Sequence, residues 1–286
     1  MTSPYQQAAT SRPTRRFDTE RHDCAPTTSR MCDYLLGGTW NFPADQAAAE
    51  RLLSVTPYAG LDAGANQVFR RRAVRVLQTG GIRQFLDLGA GLPTFGGVHD
   101  LVHARDKDAR IVYVDNDPAV VAPTLHIRAC ADAEYFSAVH ADLRSPGSVL
   151  GSETVREQLD LSQPLGLLLT AAGQFVPEHH DLAGILGAYR SMLAPGSCVV
   201  ISHATAADLT CEQALGAAAV YARTHTPLTM RTPEQITALF AGFTLLPPAD
   251  DARPAMVPVG EWRWTDDLKA PDDRARGLYG GVGYLP

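Results

Sequence analysis

Two carboxylates and two glycines, Asp87, Gly89, Gly91 and Asp115, carry the strongest chemical pattern in this chain. Asp87 sits in an apolar run and is followed by a glycine turn, FLDLGAGLPT (85–94). A second apolar run, IVYVDND (111–117), ends in acid again and places Asp115 24 residues after Gly91. A strand, a glycine turn, a helix and a second strand ending in a carboxylate make the nucleoside-binding half of a doubly wound α/β fold. The glycines let the backbone approach a ligand closely, and the second carboxylate accepts hydrogen bonds from ribose hydroxyls.

The details of the loop narrow the nucleoside. A dinucleotide sets its pyrophosphate on a helix N-terminus, which calls for G-x-G-x-x-G without an acid beside it. Here the loop runs Gly89, Gly91, Pro93, Thr94, and Asp87 stands two residues before the first glycine. That carboxylate repels a pyrophosphate and suits a cation. S-adenosylmethionine offers a ribose, an ammonium group and a sulfonium, so the pattern favours it over NAD. A tight strand-to-helix turn would account for the glycines alone, but not for two strand-end acids.

The elements that must hold these residues alternate. Strands are expected at 83–88, 111–115, 135–139, 165–170 and 197–202, with helices between them, notably 94–105 and 178–192. This order implies a parallel sheet covered on both faces. Pro123, after Pro118, is expected to interrupt the second core helix. Before the first strand, 43–54 and 66–78 carry helical spacing and form a cap over a site. After the fifth, 206–223 is helical, and Thr232-Pro233-Glu234-Gln235 opens a further helix with a capping box. Late strands are expected at 243–246 and 279–285, separated by a Pro- and Asp-rich excursion holding Trp262 and Trp264. An antiparallel pair appended to a five-stranded parallel sheet fits a methyltransferase better than a dehydrogenase.

Composition sets the outer limits. The 286 residues are 45% apolar and 20% charged, with a net charge of −6, which describes a soluble globular protein without a large nucleic-acid footprint. The Arg70-Arg71-Arg72 run with Arg75 reads as a solvated helix face rather than a phosphate patch. Five scattered cysteines without a C-x-x-C suit a reducing cytoplasm and exclude a disulfide framework or cysteine zinc site. No apolar run is long enough to span a membrane. The polar N-terminus lacks a signal-peptide core and reads as a flexible tail over 1–26.

Several segments together resemble an actinobacterial family of S-adenosylmethionine-dependent methyltransferases, long described as a domain of unknown function. They are RMCDYLLGGTWNFPAD (30–45), FLDLGAGLPT, VYVDNDPAVV, the Phe175-Val176-Pro177 turn, ISHAT (201–205) and YGGVG (279–283), in family order. The resemblance implies a class I, Rossmann-like α/β fold. It consists of a mostly parallel seven-stranded sheet with an antiparallel late strand, helices on both faces and a helical N-terminal cap over 27–80. The cofactor-binding domain then covers 81–286. Carried over by position, Asp87, Gly89 and Gly91 lie beside the methionine part of S-adenosyl-L-methionine. Asp115 holds the ribose, Asn116 or Asp117 lies near the adenine, and Asp142 and Leu143, after the third strand, flank the base. Thr170 and Ala171 line the sulfonium, and Tyr34 and Asn41 point inward from a segment that closes over the cofactor. The chain departs from its relatives at Gln174, where they carry histidine, at Tyr284-Leu285, where they carry Arg-Lys, and at Pro123.

For a base, His203 follows the fifth strand and Tyr34 lies in the closing segment; both are candidate catalytic residues, with a structural histidine and a core aromatic as the bland alternatives. His179 and His180 read as surface residues. His99 and His103, four apart, lack a third ligand, so no metal is expected. The expected function is in-line methyl transfer to a small molecule, such as a secondary metabolite, in the cytoplasm, without nucleic acid or membrane and with a homo-oligomer left open. The amino-methylation signature (D/N)-P-P-(Y/F) is missing where TAAG ends the fourth strand, which disfavours nucleic acid. A non-methylating cyclisation on the same fold and a non-catalytic regulatory protein stay as alternatives.

Overall fold

The computed structural model describes residues 25–93, 97–263 and 274–286. Three helices come first: α1 (Thr28–Leu35), α2 (Pro43–Val55) and α3 (Ala59–Thr79). The alternating core follows as β1 (Gln84–Leu88), α4 (Val98–Arg105), β2 (Arg110–Asp115), α5 (Pro118–Cys130) and β3 (Phe136–His140). Then come α6 (Pro146–Leu150), α7 (Glu153–Gln158), β4 (Gly166–Thr170), α8 (Leu182–Ser191) and β5 (Cys198–Ala204). The chain closes with α9 (Cys211–Tyr221), α10 (Pro233–Ala238), β6 (Thr244–Leu245), β7 (Val257–Pro258) and β8 (Leu278–Tyr284).

The sheet order is β3-β2-β1-β4-β5-β8-β6, with β7 also on β8. The first five strands are parallel; β8 runs antiparallel to β5 over seven residue pairs, from Cys198–Tyr284 to Ala204–Leu278. Alternation along each strand sends successive side chains to opposite faces. Phe85, Ile111, Leu168 and Val200 join the core under α3, α4 and α5, while Leu86, Val112, Leu167 and Val199 join the core under α7 and α8. A third cluster, with Met31, Ala49, Leu52 and Ala217, packs α1 and α2 against α9. Among the described residues no helix is long and apolar enough to cross a membrane.

Four local expectations need correction. The sheet has eight strands, because the two-residue β7 adds to β8. Pro123 does not interrupt α5, which runs through it. The ring removes only the bond to the Ala119 carbonyl and is itself buried, while the Asp117 side chain caps the helix on Ala119 N–H at 2.8 Å. The helix expected over 178–192 is split at Asp181, whose φ of 46° turns the chain and whose side chain caps α8 on Gly184. The arginine run is a solvated face only in part, since Arg71 is exposed and Arg72 is not. Arg72 is buried and donates to the carbonyls of Val259 and Gly260 at 2.9 and 3.0 Å.

Candidate functional site

The chain reverses direction across the sheet between β1 and β4, where a doubly wound fold opens a crevice at its strand ends. A cavity of about 800 Å³ lies there. Gly89, Gly91, Asp115, Asn116, Asp117, Asp142, Leu143, Thr170 and Ala171 all line it. Gly89 and Gly91 hold φ of +70° and +67°, and Gly89 N–H ties the turn to the Val114 carbonyl at 2.8 Å. Asp115 orders the rest of the loop: its two oxygens accept the N–H groups of Asp117 at 3.0 Å and Gly91 at 3.1 Å. Burial raises its carboxyl above the ordinary range, against the pull of those donors. Asp142 is held below that range by the side chain of Arg144, whose Nε donates at 2.9 Å.

Asp87 lies outside the lining. It is buried on the floor, and Arg70 stands over it with Nη1 3.4 Å from Oδ2. Arg70 in turn lines the crevice beside Gln67, its hydrogen-bond partner. Burial pushes the Asp87 carboxyl up to about 6, opposed by Arg70. A folded pKa above the unfolded value means that the stability it confers is full below about 4 and is lost as pH rises through 6. Asp87→Asn is therefore expected to match wild type near pH 4 and to be the more stable by up to about 3 kcal/mol at pH 8, measured by denaturant melts of the ligand-free protein. A gap that shrinks with rising pH would refute this.

A second cavity, of about 340 Å³, adjoins the first. Thr28, Cys32, Asn66, Gln67, Ala171 and Phe175 line both. This common wall is tightly specified. Ala171 has φ of +53°, and its N–H reaches Ser202 Oγ at 2.9 Å; the same hydroxyl donates to Asn66 Oδ1 at 2.6 Å. Asn66, its oxygen held, lines both cavities at the junction. Ser202→Ala is expected to destabilise the fold by about 1–2 kcal/mol, read by calorimetry, because it leaves a buried acceptor without its donor. Gln174 lines the second cavity, its Oε1 accepting Ala204 N–H at 3.1 Å.

Three residues expected inward are placed elsewhere. His203 is fully buried; its Nδ1 donates to the Ala204 carbonyl at 2.9 Å and its Nε2 accepts from Arg231 at 2.6 Å. Burial lowers it to about 4, so it is a neutral structural histidine. The Tyr34 hydroxyl bonds Glu50 on α2, and Asn41 bonds Asp33 Oδ2 at 2.7 Å. Neither lines either of the two cavities, although Thr28, Arg30, Cys32 and Asp33 of the same helix as Tyr34 line the larger one. Of the bland expectations, His179 and His180 are exposed, His99 bonds the Tyr113 hydroxyl at 2.9 Å, and His103 stacks on Tyr135. Among the described residues no group of three ligands could hold a metal ion. Trp262 is buried edge-on to Phe69, whereas Trp264, Thr94 and Cys24 lie outside the described residues.

A family model described as S-adenosyl methyltransferase matches residues 10–286. The chain belongs to this S-adenosyl methyltransferase family. The methyltransferase is similar to a DUF574 family protein from Streptomyces avermitilis, with 30% identity over 92% of this chain and 98% of that one, at a TM-score of 0.83. A candidate methyltransferase from Thermobifida fusca shares 32% identity over 91% of this chain and 95% of its own, at 0.80. No curated protein matches the chain. The protein is an S-adenosylmethionine-dependent methyltransferase built on a mostly parallel sheet with antiparallel late strands. Sequence reasoning missed Arg70 and Asn66 of this methyltransferase. The signal was present: both lie four residues or fewer from Gln67 on one face of α3, and that face meets the crevice.

Proposed function

We infer that the methyltransferase acts on a small molecule, such as a secondary metabolite, held in the smaller cavity while the larger one holds the cofactor. The observation that carries this reading is the common wall at Asn66 and Ala171, through which the two cavities adjoin. The residues of the larger cavity fit S-adenosylmethionine. Asp115 offers two carboxyl oxygens to ribose hydroxyls; Asn116, Asp117, Asp142 and Leu143 surround the adenine position; Thr170 and Ala171 lie toward the sulfonium. Gly91 leaves room for the methionine part, since a Cβ there would meet nothing within 4 Å. Arg70 brings a cation suited to the methionine carboxylate, and Asp87 acts through Arg70 rather than on the ligand. Bound there, the cofactor supplies an electrophilic methyl group. The chain's own work is to align an acceptor against it and exclude water, which residues 27–80 do as a cap in a cytoplasmic protein. Calorimetry should show binding of S-adenosylmethionine and S-adenosylhomocysteine but not NAD. With an acceptor, S-adenosylhomocysteine must form in step with a methylated product; turnover without that pairing would support the cyclisation instead.

A further inference from the structure

The wall of the smaller cavity is largely apolar, built from Leu35, Leu52, Phe175, Tyr221, Leu228 and Met230 among others. Its charged groups are nearly all engaged. Arg276 pairs with Glu261 at 2.9 Å, Arg274 lies over the Tyr58 ring at 5.3 Å, and Asp208 accepts the Tyr279 hydroxyl at 3.0 Å. Asp62 differs. One of its oxygens, Oδ1, accepts Gly277 N–H at 2.8 Å, and no donor among the described residues meets Oδ2. Gly277 also keeps the carboxylate in place by lacking a side chain, since a Cβ there would come within 2.4 Å of Oδ2. Asp62 stands one helical turn before Asn66 on α3, about 6 Å along the axis from the junction with the cofactor crevice.

A carboxylate in an apolar wall is costly to ionise unless a cation or donors compensate it. Burial accordingly holds Asp62 up at about 7. A ligand ammonium would draw it into the ionised form and pair with it, whereas a ligand carboxylate would be repelled. We propose that this cavity takes a compact, largely apolar molecule bearing a protonated amine, and that Asp62 holds the ammonium. The proposal rests on the reading of the cavity as the acceptor site. At about 340 Å³ the space suits one ring and a short chain.

The test titrates 2-phenylethylamine and its neutral counterpart 2-phenylethanol into protein saturated with S-adenosylhomocysteine, using wild type and Asp62→Asn. The asparagine keeps an acceptor for Gly277, so the fold and the S-adenosylhomocysteine affinity should hold. Wild type should bind the amine roughly tenfold or more tightly than the alcohol, as expected when a charge-assisted bond replaces a neutral one. In Asp62→Asn that preference should collapse to near parity. Equal binding of the two probes to wild type, binding of neither, or a preference that survives the substitution overturns the proposal. If S-adenosylhomocysteine itself fails to bind wild type, the methyltransferase reading of the crevice falls and takes this proposal with it; if it binds normally, only the amine assignment falls.

Discussion

Asp115→Ala should weaken S-adenosylhomocysteine binding by roughly a hundred- to ten-thousandfold in calorimetry. Two ribose hydroxyls donating to one ionised carboxylate contribute about 1.5–3 kcal/mol each, and every 1.4 kcal/mol is a factor of ten. The same substitution also frees the N–H groups of Gly91 and Asp117, which the carboxylate now orders at 3.1 and 3.0 Å. Ligand binding must then fix a looser loop. Asp115→Asn retains one acceptor but turns the other into a donor facing a backbone N–H, so its affinity should fall between those of wild type and Asp115→Ala. Folding of the ligand-free protein should suffer little, since burial already disfavours the charge on Asp115. Unchanged affinity in Asp115→Ala would defeat the ribose assignment.

Gly89→Ala should cost about 4 kcal/mol of folding stability. About 1–2 kcal/mol comes from forcing a Cβ into the left-handed region, where Gly89 sits at φ +70°, and about 1–3 from overpacking. The clash is specific: the new Cβ would lie 2.4 Å from the Cβ of Ala172, on the turn after β4. Gly91→Ala is the informative partner. Its φ of +67° is nearly the same, but nothing lies within 4 Å, so only the conformational cost of about 1–2 kcal/mol remains. Urea melts of the two variants separate the contributions. Equal losses would show that the approach of the β1 and β4 turns is not what Gly89 serves.

These two residues belong to the part of the site that was legible without coordinates. The run from β1 through the glycine turn to Asp115 is contiguous, and its chemistry follows from alternation along two strands and a turn that needs positive φ. Asp142, Thr170 and Ala171 are placed in the site only by what the family resemblance implies, and they line the crevice at the strand ends of the parallel sheet. The family signature over 30–45 was equally visible, but its role was misread for Tyr34 and Asn41. Its buried carboxylates shape the segment: Asp33 accepts Trp40 N–H at 2.8 Å, and Asp45 accepts Thr27 N–H at 2.9 Å and Arg30 Nε at 2.8 Å. The contact that holds Tyr34 away, its hydroxyl on Glu50, joins two helices that no local period brings together.

His203 shows the limit most clearly. Its position after β5 looked like that of a base, yet the partner that settles its role, Arg231, arrives from a connection beyond α9. By itself, then, the sequence determined the sheet, the glycine turn and the acid that faces the crevice, because each depends on residues within about one strand-turn-strand unit. The tertiary structure alone decided where the second cavity lies and what charge it carries. Its defining contacts join Ser202 to Asn66, 136 residues apart, and Gly277 to Asp62, 215 apart. No local period encodes such pairs. The first exists because α3 packs across β5, the second because β8 returns antiparallel beside β5 and brings the end of the chain onto the face of α3.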